Sequence, residues 1–227
     1  MGSCMNISKA RYHLIEEYLN KLLIVNETIN LTSITDFDKA KILHIEDSLS
    51  ALNYFGDYFI DNLLDIGSGC GFPGVALSIA SSCKAVLLDS SKKKMNAVHN
   101  ILVEMNLDSQ ISTISARAED FALQNRKFQI VVSRAVASLP SILELSVPFI
   151  SDNGLIVLYK SDIASNELSD GNSILDILGL KIFDIRHFHL SDGVTSRTLL
   201  AFQKIHEPSI KLPRRNGLAQ KRPLSRN

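Results

Sequence analysis

Tryptophan is absent, and aromatic residues make up only 7% of the 227-residue chain, so no broad platform for stacking unpaired bases is expected. Cysteine is scarce: Cys4, Cys70 and Cys83 are odd in number, lie far apart and form no C-x-x-C pair. A zinc site and a disulfide framework are therefore not indicated, and three small, semi-buried thiols are expected. No apolar run approaches the ~18 residues that a membrane-spanning helix needs. Near the start, "LLIV" (Leu22 to Val25) is the longest apolar run, and Asn6 stands where a myristoylation signal calls for Ser or Thr. A cytoplasmic protein with no membrane partner is the expectation.

Net charge is also missing, since 24 basic residues balance 24 acidic ones. The balance hides an asymmetry. From Lys204 to Asn227 there are seven basic residues (Lys204, Lys211, Arg214, Arg215, Lys221, Arg222 and Arg226) against Glu207, a net +6 on an otherwise −6 chain. Such a tail suits either an anionic partner or a solvated terminus.

What is present is a hydrophobic content of 45%, enough for a substantial core. Residues 6–60 read as helical. "KARYHLIEEYLNKLLIVN" places Tyr12, Ile15, Leu19, Leu22 and Leu23 near helical spacing, and Asp36 is a plausible N-cap for the stretch that follows. Beyond Asp61 the pattern alternates. Strands are expected at 62–66, 85–89, 111–115, 128–133 and 155–159. Helical segments are expected from about Pro73 to Ser81 and at 92–106, 138–150 and 163–178. This spacing implies parallel β-α-β units. The alternation then breaks: "KIFDIRHFHL" (181–190) and "TSRTLLAFQK" (195–204) are separated only by "SDGV" and should pair antiparallel. Five parallel strands followed by such a pair is the order of a Rossmann-like class I methyltransferase sheet. The expected organisation is a helical extension (1–60), an α/β core with a mostly parallel seven-stranded sheet (61–204) and a basic tail (205–227).

The stretch "LLDIGSGCGFPG" (Leu63 to Gly74) satisfies two motifs at once. From Gly69 it reads G-x-G-x-x-G, a dinucleotide fingerprint. From Asp65 it reads D-x-G-x-G-x-G, a pattern typical of S-adenosylmethionine (AdoMet) sites. The first register carries Asp65 and Gly67 into a strand, where both are poor residues. The second ends the strand at Ile66 and gives Gly67, Gly69 and Gly71 to the loop. Asp89, at the next strand end, is placed to accept hydrogen bonds from both ribose hydroxyls of a nucleoside, in either cofactor. After the third strand, Ala118 and Glu119 are candidates for reading an adenine. The fourth strand ends "SRAVASL", without the Asn/Asp-Pro-Pro-Tyr/Phe of exocyclic-amine methylation, and no Pro-Cys nucleophile occurs. A ring nitrogen with a free lone pair, such as guanine N7, fits this lack of a base. Arg134 is a candidate to hold the cofactor or an RNA group.

Taken together, "NLTSI" (30–34), "HIEDSL" (44–49), "LLDIGSGCGFPG", "LLDS" (87–90), "RAED" (117–120), "SRAVASL" (133–139) and "PRRNGLAQKRPL" (213–224) resemble the GidB/RsmG family of bacterial 16S ribosomal RNA guanine-N7 methyltransferases. The resemblance spans nearly the whole chain. It implies AdoMet as donor, and as partner 16S rRNA of the small ribosomal subunit or its assembly intermediate; separately, a monomer is expected. It also implies cofactor contacts at Gly67, Phe72, Ala118, Glu119 and Arg134. Phe72 stands where Leu is frequent, Ser161 replaces a glycine and Leu212 replaces a frequent Tyr. Lys160, Arg197, Arg214, Arg215 and Lys221 are candidates for RNA phosphates. His44 lies either beside the target base or in helix packing. A NAD(P)-dependent oxidoreductase and an RNA-binding assembly factor stay open as alternatives.

Overall fold

The computed structural model describes residues 7–55, 60–161 and 165–225. Cys4, Asn6, Arg226 and the start of the 163–178 helical segment lie outside them.

The chain begins with α1 (Lys9–Ile29), capped by Ser8, whose side chain accepts from the Arg11 N–H. Its buried face is Ile15, Tyr18, Leu19 and Leu22. Tyr18 was not among the positions expected from the spacing, and Tyr12 and Leu23 are only partly buried. A composite helical run follows: α2 (Phe37–Ala40), a π-helical segment (Lys41–Glu46), α3 (Asp47–Leu49) and a 3-10 segment (Ser50–Phe55). Asp36 caps it as expected, accepting from Lys39 N at 2.8 Å. A π segment inside such a run is rare and often marks a functional position.

Next come β1 (Asn62–Ile66), α4 (Gly74–Ser81), β2 (Lys84–Asp89), α5 (Lys92–Glu104), β3 (Ile111–Ser115), α6 (Ala118–Ala122) and β4 (Phe128–Arg134). They are followed by α7 (Leu139–Ser146), β5 (Ile150–Lys160), α8 (Ser165–Ser173), α9 (Leu175–Leu178), β6 (Leu180–His189) and β7 (Ser196–Lys204). The seven strands form one sheet in the order β3-β2-β1-β4-β5-β7-β6, with β1 to β5 parallel. Strand β7 runs antiparallel to both β5 and β6.

Alternate residues of the central strands supply the two faces, because strand side chains point to opposite sides. Leu63, Leu87, Val132 and Val157 pack with α1, α4 and α5. Leu64, Val86, Val131 and Ile156 pack toward α7 and α9. Truncating any of these leucines to Ala should cost about 2–5 kcal/mol. The sheet thus stacks its loops at the carboxyl ends of β1, β2 and β4, where open parallel sheets bind ligands.

The C-terminal segment is not a free basic arm. It crosses back over α6 and α7 and ends in a short helix, α10 (Leu218–Lys221). Leu212 and Leu224 pack against the core, and Ala219 is buried there.

Candidate active site

Strand β1 ends at Ile66, and α4 begins at Gly74, so the intervening loop is the one the AdoMet register requires. Each glycine in it answers a different demand. Gly67 takes φ +72°, and an added Cβ would lie 2.3 Å from Val136 Cγ2. Its N–H donates to Leu88 O at 2.7 Å, which folds the loop over β2. Gly69 has φ +54° with open space beside it, the nearest heavy atom being 3.9 Å away. Gly71, at φ +92°, makes room for Tyr18, whose hydroxyl would be 2.3 Å from a Cβ there. Tyr18 is fully buried and donates from Oη to Cys70 O at 2.8 Å, so α1 braces the loop from below. Asp65 closes the loop: its Oδ2 accepts from Gly74 N at 2.8 Å. Its other oxygen has no partner among the described residues, and burial pushes this carboxyl up to about 7.

A cleft of about 320 Å³ opens above this loop, a size typical of small-ligand sites. Of the residues expected to hold a cofactor, Gly67, Gly69, Asp89, Ala118 and Glu119 line it. Asp89 Oδ2 accepts from Gly69 N at 3.0 Å and its Oδ1 from Ser91 N at 2.8 Å, joining the loop to the cap of α5. A carboxylate has further lone pairs for hydroxyl donors. The empty side of Gly69 and this half-engaged carboxylate fit a nucleoside-bearing donor such as AdoMet.

Gly71, Phe72 and Arg134 are not in the cleft lining. Gly71 faces Tyr18. Phe72 is buried, stacked on His44 (centroids 5.2 Å apart) and edge-on to Tyr18. Arg134 points toward the N-terminal helices. Its Nη1 donates to Leu43 O at 3.1 Å and to Asp47 Oδ2 at 3.0 Å, and its Nη2 lies 3.3 Å from His44 Nδ1. Sequence reasoning missed Lys94, Arg117 and Gln220, which do line the cleft. Gln220 gave no signal, because only tertiary folding brings the tail there.

The residues considered for RNA divide. His44 is 6% exposed, and its Nε2 meets Thr32 Oγ1 at 3.1 Å. Burial first, and Arg134 second, lower its pKa to about 4, so the ring is neutral. Both nitrogens are engaged within the fold, which fits the packing alternative. Arg214 is turned inward: Nε donates to Glu144 Oε1 at 2.6 Å, and Nη2 to the other carboxylate oxygen and to Arg222 O. Lys160 Nζ donates to Ala137 O at 2.9 Å. Arg197 Nε pairs with Asp47 Oδ1 at 3.1 Å. Arg215 and Lys221 are exposed. Glu119, besides lining the cleft, accepts from Gly217 N at 2.7 Å, and Asp120 accepts from Asn216 Nδ2 at 2.7 Å. The tail is thereby fastened to the rim of the cleft.

A sheet of this order, with its reversed strand β7 and a glycine loop tied to the acid at the end of β2, defines a class I AdoMet-dependent methyltransferase. The same fold occurs in the O-methyltransferase from Bacillus cereus in complex with SAH, with a TM-score of 0.59 at 16% identity over 82% of this chain and 90% of that one. Residues 11–191 match the family model GidB, described as rRNA small subunit methyltransferase G, and the chain belongs to that family. Ribosomal RNA small subunit methyltransferase G from Lachnoclostridium phytofermentans is 35% identical, covering 98% of this chain and 93% of its own. The protein of that name from Lactobacillus helveticus is 34% identical, covering 91% and 88%.

Proposed function

We propose that this AdoMet-dependent rRNA methyltransferase transfers a methyl group to N7 of a guanine in 16S rRNA of the small ribosomal subunit or its assembly intermediate, acting as a monomer. One observation carries the choice of atom. The imidazole stacked on Phe72 of the glycine loop has no nitrogen available as a base, since His44 accepts from Arg134 and donates to Thr32. Guanine N7 carries an in-plane lone pair in its neutral form, so no proton has to be removed before it attacks. Rate enhancement then comes from alignment, with reacting atoms at roughly 3–3.5 Å. AdoMet, when bound, supplies an electrophilic methyl group on a sulfonium.

In this reading Gly67 and Gly69 let the backbone approach the donor, and Asp89 accepts from its ribose hydroxyls. The Ala118–Glu119 segment bounds the adenine end, with Glu119 holding the tail in place. Gly71 and Phe72 act from below, by seating the loop on Tyr18 and His44. Arg134 and Arg197, with Lys160 on the strand between them, serve the RNA side, and Arg215 and Lys221 add exposed positive charge on the tail. Among the described residues, the large exposed apolar side chains Ile24, Val103, Leu123, Val194 and Ile205 stand singly along the chain and only Ile182 and Phe183 adjoin, which supports a monomer.

The test is transfer from labelled AdoMet to small subunits lacking the modification, followed by mapping of the methylated nucleotide. Label at a guanine N7 is the expected result. Label at an adenine, or on ribosomal protein, would refute the assignment.

A further inference from the structure

Asp47 is among the most deeply buried charged side chains, with 1% of its side-chain surface exposed. It lies just after the π-helical segment and three residues beyond His44. Two guanidinium groups from distant strands converge on it. Arg134, at the carboxyl end of β4, reaches Oδ2 at 3.0 Å, and Arg197, near the start of β7, reaches Oδ1 at 3.1 Å. The second contact is close in charge but is not a well-directed hydrogen bond.

A purely structural account of this trio is weak. Burying three charges carries a large desolvation cost, and well-packed apolar side chains often serve stability as well or better. The two arginines also do not close on the carboxylate completely. Their side chains keep 16% and 18% of their surface exposed. Among the described residues, the Nε–H of Arg134 and the Nη2 group of Arg197 have no acceptor. One carboxylate between two guanidiniums leaves a net charge of +1, and the neutral His44 adds none. The location is the carboxyl edge of the sheet, where Arg134 pairs in register with Tyr159 on β5 and Thr198, beside Arg197, pairs with Lys160. The donor cleft reaches the neighbouring Ala135 and Val136 but neither arginine.

We propose that Asp47 is a positioning residue for the RNA substrate: it holds Arg134 and Arg197 so that their unused N–H edges form one fork for an rRNA phosphate beside the target base. This rests on the reading of the chain as an rRNA methyltransferase acting at this edge. Paired guanidinium edges suit the oxygens of a phosphate, and fixing both side chains in advance removes an ordering cost from binding.

The experiment uses the full chain, labelled AdoMet and unmethylated small subunits over a range of salt concentrations. It compares the wild type with Asp47→Asn, Arg197→Ala and the double variant. Asp47→Asn should raise KM for the subunit about tenfold and lower the salt slope by roughly one phosphate contact. Its affinity for AdoMet, measured by calorimetry, should stay within about twofold, because neither arginine reaches the donor cleft. Arg197→Ala should lower the slope equally, and the double variant should lower it no further. A lower melting temperature with unchanged KM and salt slope would show that Asp47 is only structural and overturn the proposal. So would weakened AdoMet binding with an unchanged slope, which would assign the arginines to the donor. If Asp47→Asn does not fold, Arg197→Ala decides alone, since Arg134 remains paired, and an unchanged slope again overturns it. A wild type that transfers no methyl group to rRNA at any salt concentration would instead remove the functional reading beneath it.

Discussion

Arg214 grips Glu144 with two N–H groups of its guanidinium, and Glu144 is 2% exposed on the inner face of α7. This pair seats the basic tail against the candidate cofactor cleft, to whose lining the tail contributes Gln220. Replacing Arg214 with Ala leaves a buried carboxylate without its partner, at a cost of about 3 kcal/mol. Thermal denaturation should register that loss, and calorimetry should find weaker AdoMet binding as Gln220 leaves the cleft rim. Wild-type values in both measurements would mean that the tail is held by other contacts.

The glycines of the loop should separate by function. Gly71→Ala places a Cβ against the Tyr18 hydroxyl at φ +92° and should destabilise the fold by about 2–4 kcal/mol. Gly69→Leu meets open space at φ +54°, so only the conformational cost of about 1–2 kcal/mol applies. Its side chain enters the cleft, and methyl transfer should disappear while the protein stays folded. The reverse pattern, an active Gly69→Leu protein, would contradict the location of the donor.

Two buried groups should oppose each other in the pH dependence of stability. His44 is lowered from 6.5 to about 4, so between these values the unfolded chain binds more protons, and stability drops as pH falls. The window corresponds to roughly 3 kcal/mol. Asp65 is raised from 3.8 to about 7, so the folded chain binds the extra proton in that range. Its contribution is full below about pH 3.8 and is lost as pH rises toward 7. The slopes nearly cancel in the wild type. Urea denaturation should show His44→Gln losing stability from pH 4 to 7, and Asp65→Asn gaining it from pH 4 to 6.5. Parallel profiles for all three proteins would disprove these assignments.

Exposed and inward-facing basic residues of the tail should also differ in their effect on RNA. The pair of substitutions Arg215→Ala and Lys221→Ala removes exposed charge, and should flatten the salt dependence of binding by roughly two phosphate contacts. Arg214→Ala removes no solvent-facing charge, since its guanidinium faces Glu144, so its effect on the slope should be the smaller one and come only through loosening the tail that carries Arg215 and Lys221. Binding titrations at several salt concentrations distinguish the two cases. Equal slopes for both would show that the tail's charge acts as one diffuse field.

Much of the architecture was legible from local pattern. The strand expected at 62–66 is β1, the antiparallel pair is β6 and β7, and Asp36 caps its helix, because hydrophobic period, turn residues and caps act over a few neighbours. The glycine register was readable from Gly67, a poor residue for a strand interior that lies just past β1; Asp65, expected to be equally poor there, is in fact paired inside β1 between β2 and β4. The candidate site was only half legible, if the residues lining its cleft are the measure. Gly67, Gly69, Asp89, Ala118 and Glu119 sit at loop positions set by the local strand and helix ends.

Phe72, Arg134 and Arg214 depended on what folded against them. Each occurs in a recognisable segment, yet their partners His44, Asp47 and Glu144 come from helices 28 to 87 positions away for the first two and 70 for the third. The amino-acid sequence by itself determined the class of fold, the family and the glycine loop, because those are written in spacing and residue type. Tertiary structure alone decided which basic groups face solvent and which are buried in ion pairs. That choice depends on the free energy of bringing specific charges together out of water, and contacts across the fold set it rather than neighbours in the chain.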